Sequence, residues 1–330
     1  MSEVAVIGAG VAGLACACEL VDRGVEVTVY ERSETLGEGA CSWFAGGMLA
    51  PYCERDTAEY EVMQQGLVAR EWWQRHVSGV TSQGSLVLAL PRDRNELSRL
   101  ARLGGQCRWV DREEILGIEP DLEEFSGSGL LFPDEAHLDP RRALAELAGY
   151  LESRGAAVHF GQAVRPRDLD AKFVIDCRGY AARDVLHGLR GVKGEMMILH
   201  TDEISLSRPV RLLHPRQGIY VVPRERNRYM LGATLIENDE RRRLSVRSVL
   251  ELLKSALILD PRFGEAQIVE TGVDARPAFD DNIPRLCRQD NVIFVNGLFR
   301  HGFLLGPALA VRAADAVVDH GRWGELPRCA

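Results

Sequence analysis

The stretch VAVIGAGVAGLACACEL, which begins at Val4, constrains the fold more than any other part of the chain. Its first four residues form a continuous apolar run, as in a parallel strand buried on both faces. Three glycines follow in the spacing GxGxxG. The first allows a tight turn, the second lets backbone approach a pyrophosphate, and the third lets a helix pack against the strand. The residues of this turn that we expect to bind a dinucleotide are Gly8, Gly10, Val11, Ala12 and Gly13.

A second strand, VEVTVYE, follows after Gly24 and ends in Glu31, with Arg32 next. A carboxylate at this place can accept hydrogen bonds from ribose hydroxyls. Glu31 therefore favours an adenosine ribose with a free 2′-hydroxyl, which FAD and NAD both have. This motif does not separate the two cofactors.

Composition narrows the class of protein. The 330 residues suit two domains or one large α/β unit, and 46% hydrophobic with 27% charged residues is typical of a globular protein. A net charge of −8 disfavours nucleic acid and anionic membranes as partners. The run Arg241–Arg243 is interpreted as a solvated turn of mixed charge. We predict no membrane span, no signal peptide and no metal site, and eight scattered cysteines indicate reduced thiols in a cytoplasm.

The segment CSWFAGGMLAPY, residues 41–52, follows the second strand on the side where a cofactor would run. Two consecutive glycines leave space for backbone to lie against a flat ring, and a serine could bond a phosphate or a ribityl oxygen. An isoalloxazine needs such an apolar wall, so the segment favours FAD over NAD. Ser42, Gly46 and Gly47 are therefore candidates for contact with the flavin, and the family resemblance set out below also implies Cys41 and Met48.

The middle of the chain alternates helices and short strands. A helix is predicted over 58–76, with two tryptophans in the core, and another after Asp139 as N-cap and Pro140 at the first position, ending at Gly155. AAVHFGQAV and FVIDCRG are predicted strands, the latter returning to the first sheet. We predict a discontinuous FAD-binding domain of residues 1–80, 140–185 and 286–330, and a β-rich α+β substrate domain of residues 81–139 and 186–285.

Three later segments carry candidate substrate residues. GIYVVPRERNRYMLGATL is a predicted hairpin that brings Tyr220 and Leu235 near one end. Arg276 precedes a proline, and Arg300 lies among apolar residues, where an unpaired guanidinium is costly unless it is exposed, paired or binding an anion. A guanidinium fork matches a carboxylate with two hydrogen bonds. A helix is predicted to begin at the Gly-Pro pair of residues 306–307, with Pro307 in its first turn. Its N-terminus would point at the flavin.

These motifs together resemble one family. The order GAGVAG, Glu31-Arg32, S-x-x-x-A-G-G-M-L-A-P, Y-V-V-P-R and F-R-x-G-F-L-L-x-P is similar to the D-amino-acid oxidase superfamily of FAD-dependent enzymes, and within it to the thiamine-pathway glycine oxidases. The resemblance implies that Val164 and the Gly179 turn lie along FAD, that Arg276 grips the substrate carboxylate and that Tyr220 donates to it. Further residues it places at the flavin are Arg300, His301, Gly302, Phe303 and Leu304, and the substrate-binding set is Arg276, Tyr220, Arg300, Leu235 and Met48.

By this resemblance, the flavin performs the chemistry, and no catalytic side chain is predicted. Glycine would be oxidised to the imine or glyoxylate with H2O2 formation, and the imine would supply thiazole synthesis. We expect non-covalent FAD, a homo-oligomer and a functional link to thiazole synthase. His301 is expected to be structural. Leu235 and Phe279 depart from the family pattern, so a D-amino-acid or sarcosine oxidase or dehydrogenase stays open. A flavin subunit that passes electrons to a partner protein and a non-catalytic FAD-binding module are also compatible with the sequence.

Overall fold

The computed structural model describes residues 3–214 and 218–329. The strands are β1 (Val4–Ile7), β2 (Val27–Tyr30), β3 (Met48–Leu49), β4 (Ser85–Ala89), β5 (Arg108–Val110), β6 (Ser128–Phe132), β7 (Ala136–His137), β8 (Ala157–His159), β9 (Phe173–Asp176), β10 (Arg190–His200), β11 (Val210–Leu213), β12 (Ile219–Arg224), β13 (Arg228–Gly232), β14 (Gln267–Ala278), β15 (Arg285–Gln289) and β16 (Val292–Asn296). The helices are α1 (Val11–Asp22), α2 (Tyr60–Gly66), α3 (Ala69–His76), α4 (Arg94–Arg102), α5 (Arg112–Ile118), α6 (Pro140–Ser153), α7 (Val246–Leu259), α8 (Gly302–Val318) and α9 (His320–Glu325).

The first sheet has the strand order β15-β16-β9-β1-β2-β8. Neighbouring strands run parallel except at the β15–β16 edge. The strand FVID, β9, pairs directly with β1 from Val4 opposite Phe173, so its predicted return to the first sheet is confirmed. Helices α6 and α8 both pack against α1, and the three helices contribute to one apolar core. This is the Rossmann-type α/β arrangement that the glycine motif predicts.

The second sheet has the order β14-β10-β13-β12-β11-β4-β6-β5. Its neighbours run antiparallel except β11 with β4. The predicted hairpin is present as β12 and β13, and α7 packs against these strands over an apolar core of its own. The chain alternates between the two sheets, but our division into two domains at stated boundaries stays a prediction.

The helix predicted over 58–76 is instead two helices, α2 and α3, interrupted at Leu67 and Val68. Both of these side chains are largely exposed, so the break turns them away from the core. The first helix ends at Gly66, where a Cβ would lie 2.7 Å from the Leu304 side chain. The two tryptophans, Trp72 and Trp73, are buried as predicted.

The last long helix, α8, begins at Gly302 and not near Pro307, which lies inside the helix. A proline there lacks the N–H that would bond to the carbonyl of Phe303, four residues earlier. The indole N–H of Trp73 donates to that carbonyl instead, at 2.8 Å. The prediction that Pro307 lies in the first turn was wrong because the indole that replaces its missing N–H belongs to α3, which is far away in the sequence.

Two of the eight cysteines, Cys287 and Cys329, form a disulfide, contrary to the expectation that all thiols are reduced. The C-terminal segment runs beside β15, where the N–H of Arg288 donates to the carbonyl of Pro327 at 2.9 Å. That pairing brings the two Cα atoms to 5.1 Å. The sequence could not show this because the cysteines are 42 residues apart. Over the described ranges, no helix has the length and apolar character needed to cross a bilayer.

Candidate active site

A cavity of about 450 Å³ is lined by residues of both sheets and of the loops between them. We distinguish two parts of its wall. The glycine-turn region consists of residues 8–13 with Glu31 and Ser42, of which all but Ala9 and Gly13 line the cavity. The arginine region consists of Tyr220, Arg276, Arg300 and Glu54.

The glycine-turn region is built from close backbone contacts. Gly8 has a φ of +101°, which favours glycine, and a Cβ on Gly13 would lie 1.8 Å from the Gly8 carbonyl oxygen. The carboxylate of Glu31 accepts from the N–H of Ala9 at 2.8 Å and from that of Ser33 at 3.0 Å. An ionised carboxylate has about four lone-pair sites, so Glu31 keeps capacity for ribose hydroxyls.

The two glycines of the apolar segment pack closely against neighbouring protein groups, and their expected contact with a flat ring stays a prediction. A Cβ on Gly46 would lie 2.9 Å from the Tyr220 ring, and one on Gly47 would lie 2.2 Å from the Leu138 carbonyl oxygen. Both residues still line the cavity, as do Cys41, Ser42 and Met48. The hydroxyl of Ser42 accepts from the N–H of Val11 at 3.4 Å, which joins this segment to the start of α1.

Arg224 contacts the backbone of this apolar glycine segment, a role that the sequence analysis did not predict. Its guanidinium donates to the carbonyl oxygens of Gly46 at 2.9 Å and Ala45 at 3.3 Å. Burial lowers the pKa of Arg224 to about 10, so it stays charged at neutral pH. The motif Y-V-V-P-R contains this arginine, but nothing near it in the sequence shows that it reaches a loop formed by residues 45–46.

Arg276 lies across β10 and lines the cavity. Its Nη1 donates to the Thr234 carbonyl at 3.0 Å, and a Cβ on Gly194 would lie 2.2 Å from the guanidinium carbon. Burial lowers the pKa of Arg276, and the charge of Arg300 adds to this effect. Within residues 3–214 and 218–329, no carboxylate lies within 4.0 Å of this guanidinium. Arg276 is thus a half-buried cation with capacity for an anion.

Arg300 lines the cavity, and its guanidinium is paired within the protein. Its Nη2 lies 2.8 Å from Oε2 of Glu54, and its Nη1 donates to the Thr57 hydroxyl at 3.1 Å. Glu54 is buried and also lines the cavity. Sequence reasoning missed Glu54 because its partners lie far away along the chain. Of the three possibilities for a guanidinium among apolar residues, the structure shows pairing.

Arg241 lines the cavity as well, so it is not a solvated residue of a mixed-charge turn. Its guanidinium pairs with Asp274, and Nη2 donates to the Gly39 carbonyl at 2.8 Å. The hydrogen bond to Asp274 raises the pKa of Arg241. Its neighbours Arg242 and Arg243 are exposed, and the interpretation as a solvated turn holds for them.

His301 is the N-cap residue of α8 and is buried. Its Nδ1 lies 3.7 Å from Oε2 of Glu54, so it has a carboxylate neighbour that the sequence did not reveal. Burial lowers the pKa of His301 to about 4, and the ring is neutral at pH 7. Leu235 is half exposed and is not among the described residues that line the cavity, whereas Phe279 is buried in a separate apolar cluster. Other candidates that do line it are Arg32, Val164, Gly179, Gly302, Phe303 and Leu304.

These residues fit a flavin dinucleotide. Gly8 and Gly13 of the turn have no room for a side chain, the N-terminal end of α1 presents backbone N–H groups beside it, and Glu31 is fixed by backbone hydrogen bonds. The first turn of α8 lines the same cavity and supplies a second set of N–H groups, which stabilise negative charge. Fold and site together define a flavin-dependent oxidoreductase.

Comparison with known proteins agrees. Residues 3–316 match the family described as DAO, FAD dependent oxidoreductase, and the chain belongs to this family. FAD is therefore its cofactor. The chain is 49% identical to a Rhizobium etli protein provisionally named thiamine biosynthesis oxidoreductase ThiO, over 94% of this chain and 95% of that one.

Two further proteins extend the comparison. The crystal structure of glycine oxidase from Geobacillus kaustophilus has a TM-score of 0.83 at 26% identity and covers 96% of this chain and 94% of that chain. The bifunctional protein ThiO/ThiG of Synechocystis sp. is 28% identical over 96% of this chain, but the match covers only 52% of that longer protein.

Proposed function

We propose that this chain is an FAD-dependent glycine oxidase that produces an imine for the thiazole branch of thiamine synthesis. The imine otherwise hydrolyses to glyoxylate, and O2 is reduced to H2O2. The observation that carries the proposal is Arg276, a half-buried guanidinium without a carboxylate partner among the described residues, in the cavity that contains the dinucleotide turn. The glycine oxidase and ThiO relatives support the choice of substrate and pathway.

In this proposal, Arg276 binds the substrate carboxylate through two hydrogen bonds, and the Tyr220 hydroxyl donates a further one. FAD, when bound, supplies the acceptor for the hydrogen and electrons that leave the substrate α-carbon. The protein contributes orientation and exclusion of water, which account for much of the rate in such reactions. The substrate amine must be neutral to react, so the rate should rise with pH through deprotonation of that amine.

Two residues that depart from the family pattern bear on the choice of substrate. Leu235 and Phe279, the two departures from the family pattern, lie outside the set of residues that line the cavity. They therefore give no support to a preference for D-amino acids or sarcosine. A link to thiazole synthase is supported by relatives that carry ThiO and ThiG in one chain.

The test is anaerobic addition of glycine, sarcosine and D-alanine to the purified flavoprotein while flavin absorbance is recorded. Bleaching by glycine at the lowest concentration, followed by one H2O2 per glycine after oxygen is admitted, is the expected result. Bleaching by sarcosine or D-alanine at a lower concentration than by glycine would show that that compound, and not glycine, is the preferred substrate. Bleaching without peroxide would indicate a subunit that passes electrons to a partner, and no bleaching would remove the oxidase function.

A further inference from the structure

Glu54 has no role in the mechanism above, yet it lies buried in the cavity wall. It belongs to a short 3-10 helix, Cys53–Asp56, just after the apolar glycine segment. A buried carboxylate is costly unless cations surround it. The contacts of Glu54 therefore indicate what it does.

Three basic side chains surround the carboxylate of Glu54. Oε2 lies 2.8 Å from Nη2 of Arg300 and 3.7 Å from Nδ1 of His301, and Oε1 lies 3.7 Å from Nη1 of Arg211. Burial opposes its ionisation, but the two arginines lower the pKa of Glu54 to about 2. Glu54 is thus an anion at neutral pH, and it forms an ion pair with Nη2 of Arg300.

The two arginines of the arginine region consequently differ. Arg300 already has a carboxylate from the protein, whereas Arg276 bonds only to the carbonyl of Thr234 among the hydrogen bonds found for its side chain in the described part of the chain. They are close enough for the charge of Arg300 to lower the pKa of Arg276. A substrate with one carboxylate can use Arg276, but a second carboxylate would meet the anion Glu54 at Arg300.

We propose that Glu54 is a specificity-determining residue that restricts the cavity to monocarboxylates by occupying the guanidinium of Arg300. This inference rests on the proposed function for the identity of the anion-binding site. Removing the charge of Glu54 converts the arginine region from one free guanidinium to two, so it then accepts a dicarboxylate. A like-charge contact that excludes the wrong ligand is a general device of specificity.

The test measures binding and needs no turnover, so it stands even if glycine is not the substrate. Dissociation constants of acetate and malonate are measured by calorimetry on the flavin-loaded wild type, Glu54→Gln and Glu54→Asp. We expect malonate to bind Glu54→Gln at least about tenfold more tightly than it binds the wild type, the scale of one charge-assisted pair, with acetate changed less than about threefold. Glu54→Asp keeps the charge and should behave as the wild type. Equal malonate-to-acetate ratios in all three proteins would overturn the proposal.

Glu54→Gln leaves Arg300 and Arg211 buried without their carboxylate and could fail to fold, so a second pair of variants tests the same idea. Because Glu54 occupies Arg300, Arg300→Gln should change acetate binding less than about threefold, whereas Arg276→Gln should weaken it more than about tenfold. Equal losses in the two variants would show that Arg300 is free to bind anions and that Glu54 does not mask it. In the folded Glu54→Gln protein, adding Arg300→Gln should abolish the gain for malonate.

Discussion

The glycine-turn region and the arginine region of one cavity are held together in different ways. The first depends on close backbone packing, such as Gly13 against Gly8 and Gly8 against the Cys177 carbonyl oxygen, and on the hydrogen bond from the Ala9 N–H to the Glu31 carboxylate. The second depends on charged side chains from distant segments, as in the pair of Glu54 with Arg300. Backbone packing of this kind admits no added atom, whereas charges can be changed one at a time. A substitution in the glycine-turn region should therefore abolish cofactor binding altogether, whereas single substitutions in the arginine region should each change ligand selectivity.

The largest effect is expected from Gly13→Ala. The added methyl would lie 1.8 Å from the Gly8 carbonyl oxygen, so α1 and β1 must separate. We expect loss of FAD and of more than about 5 kcal/mol of stability, cofactor binding included. The ratio of flavin to protein absorbance and the thermal midpoint measure this. Gly149→Ala is the control, because this exposed glycine of α6 has no atom within 4 Å of its Cβ position, and it should gain about 0.5–1 kcal/mol. A flavin content equal in the two variants would contradict the packing account.

The next effect comes from the arginine region. Arg276→Ala should weaken transition-state binding of glycine by about 2–5 kcal/mol, the scale for removing one side of a buried charge pair. FAD content should stay at the wild-type level, which separates this variant from Gly13→Ala. Steady-state kinetics measure this loss as a decrease in kcat/KM. Arg276→Lys keeps the positive charge but lacks the planar guanidinium, so its kcat/KM should lie between those of the wild type and Arg276→Ala. An unchanged KM for Arg276→Ala would show that the carboxylate binds elsewhere.

The same contrast explains what the sequence could predict. The GxGxxG turn, β2 and the Asp139 cap of α6 are signalled by neighbouring residues, and each is present. Glu54 could not be predicted, since a carboxylate becomes a site residue only when Arg300 folds against it. The start of α8 failed for a similar reason, because Trp73 supplies the donor that Pro307 lacks. Features set by neighbouring residues can thus be predicted from the sequence, whereas contacts between residues distant along the chain cannot.

A smaller effect tests whether arginines control the buried carboxylates. Glu135 is buried like Glu54, but it accepts from backbone N–H groups, those of Tyr52 at 2.9 Å and Cys53 at 2.7 Å. Burial raises the pKa of Glu135 from 4.5 to about 7, whereas that of Glu54 falls to about 2. The folded state thus binds the Glu135 proton more tightly than the unfolded state. The contribution of Glu135 to the free energy of unfolding is therefore fully present below pH 4.5 and is lost as the pH rises through 7.

Glu135→Gln should therefore be more stable than the wild type at pH 8, by about 2–3 kcal/mol, and nearly equal to it near pH 4.5. Urea unfolding at the two pH values measures the difference. The exposed Glu251 of α7 provides the control variant Glu251→Gln, which should show no such change with pH. Glu54→Gln should be less stable than the wild type at both pH values, because it leaves Arg300 unpaired. If Glu135→Gln were destabilised at pH 8, the raised pKa would be wrong.

The smallest effect concerns α8, whose first turn lines the cavity. Trp73→Phe removes the donor to the Phe303 carbonyl, and Pro307 cannot replace it. We expect a loss of about 1–2 kcal/mol, the scale of an unsatisfied buried carbonyl, measured by urea unfolding. Pro307→Ala restores a backbone N–H that can donate to Phe303, so it should recover part of that loss in the double variant and recover less in the wild-type background. Additive effects of the two substitutions would show that the indole and the missing N–H are unrelated, and the helix would then owe its start at Gly302 to other contacts.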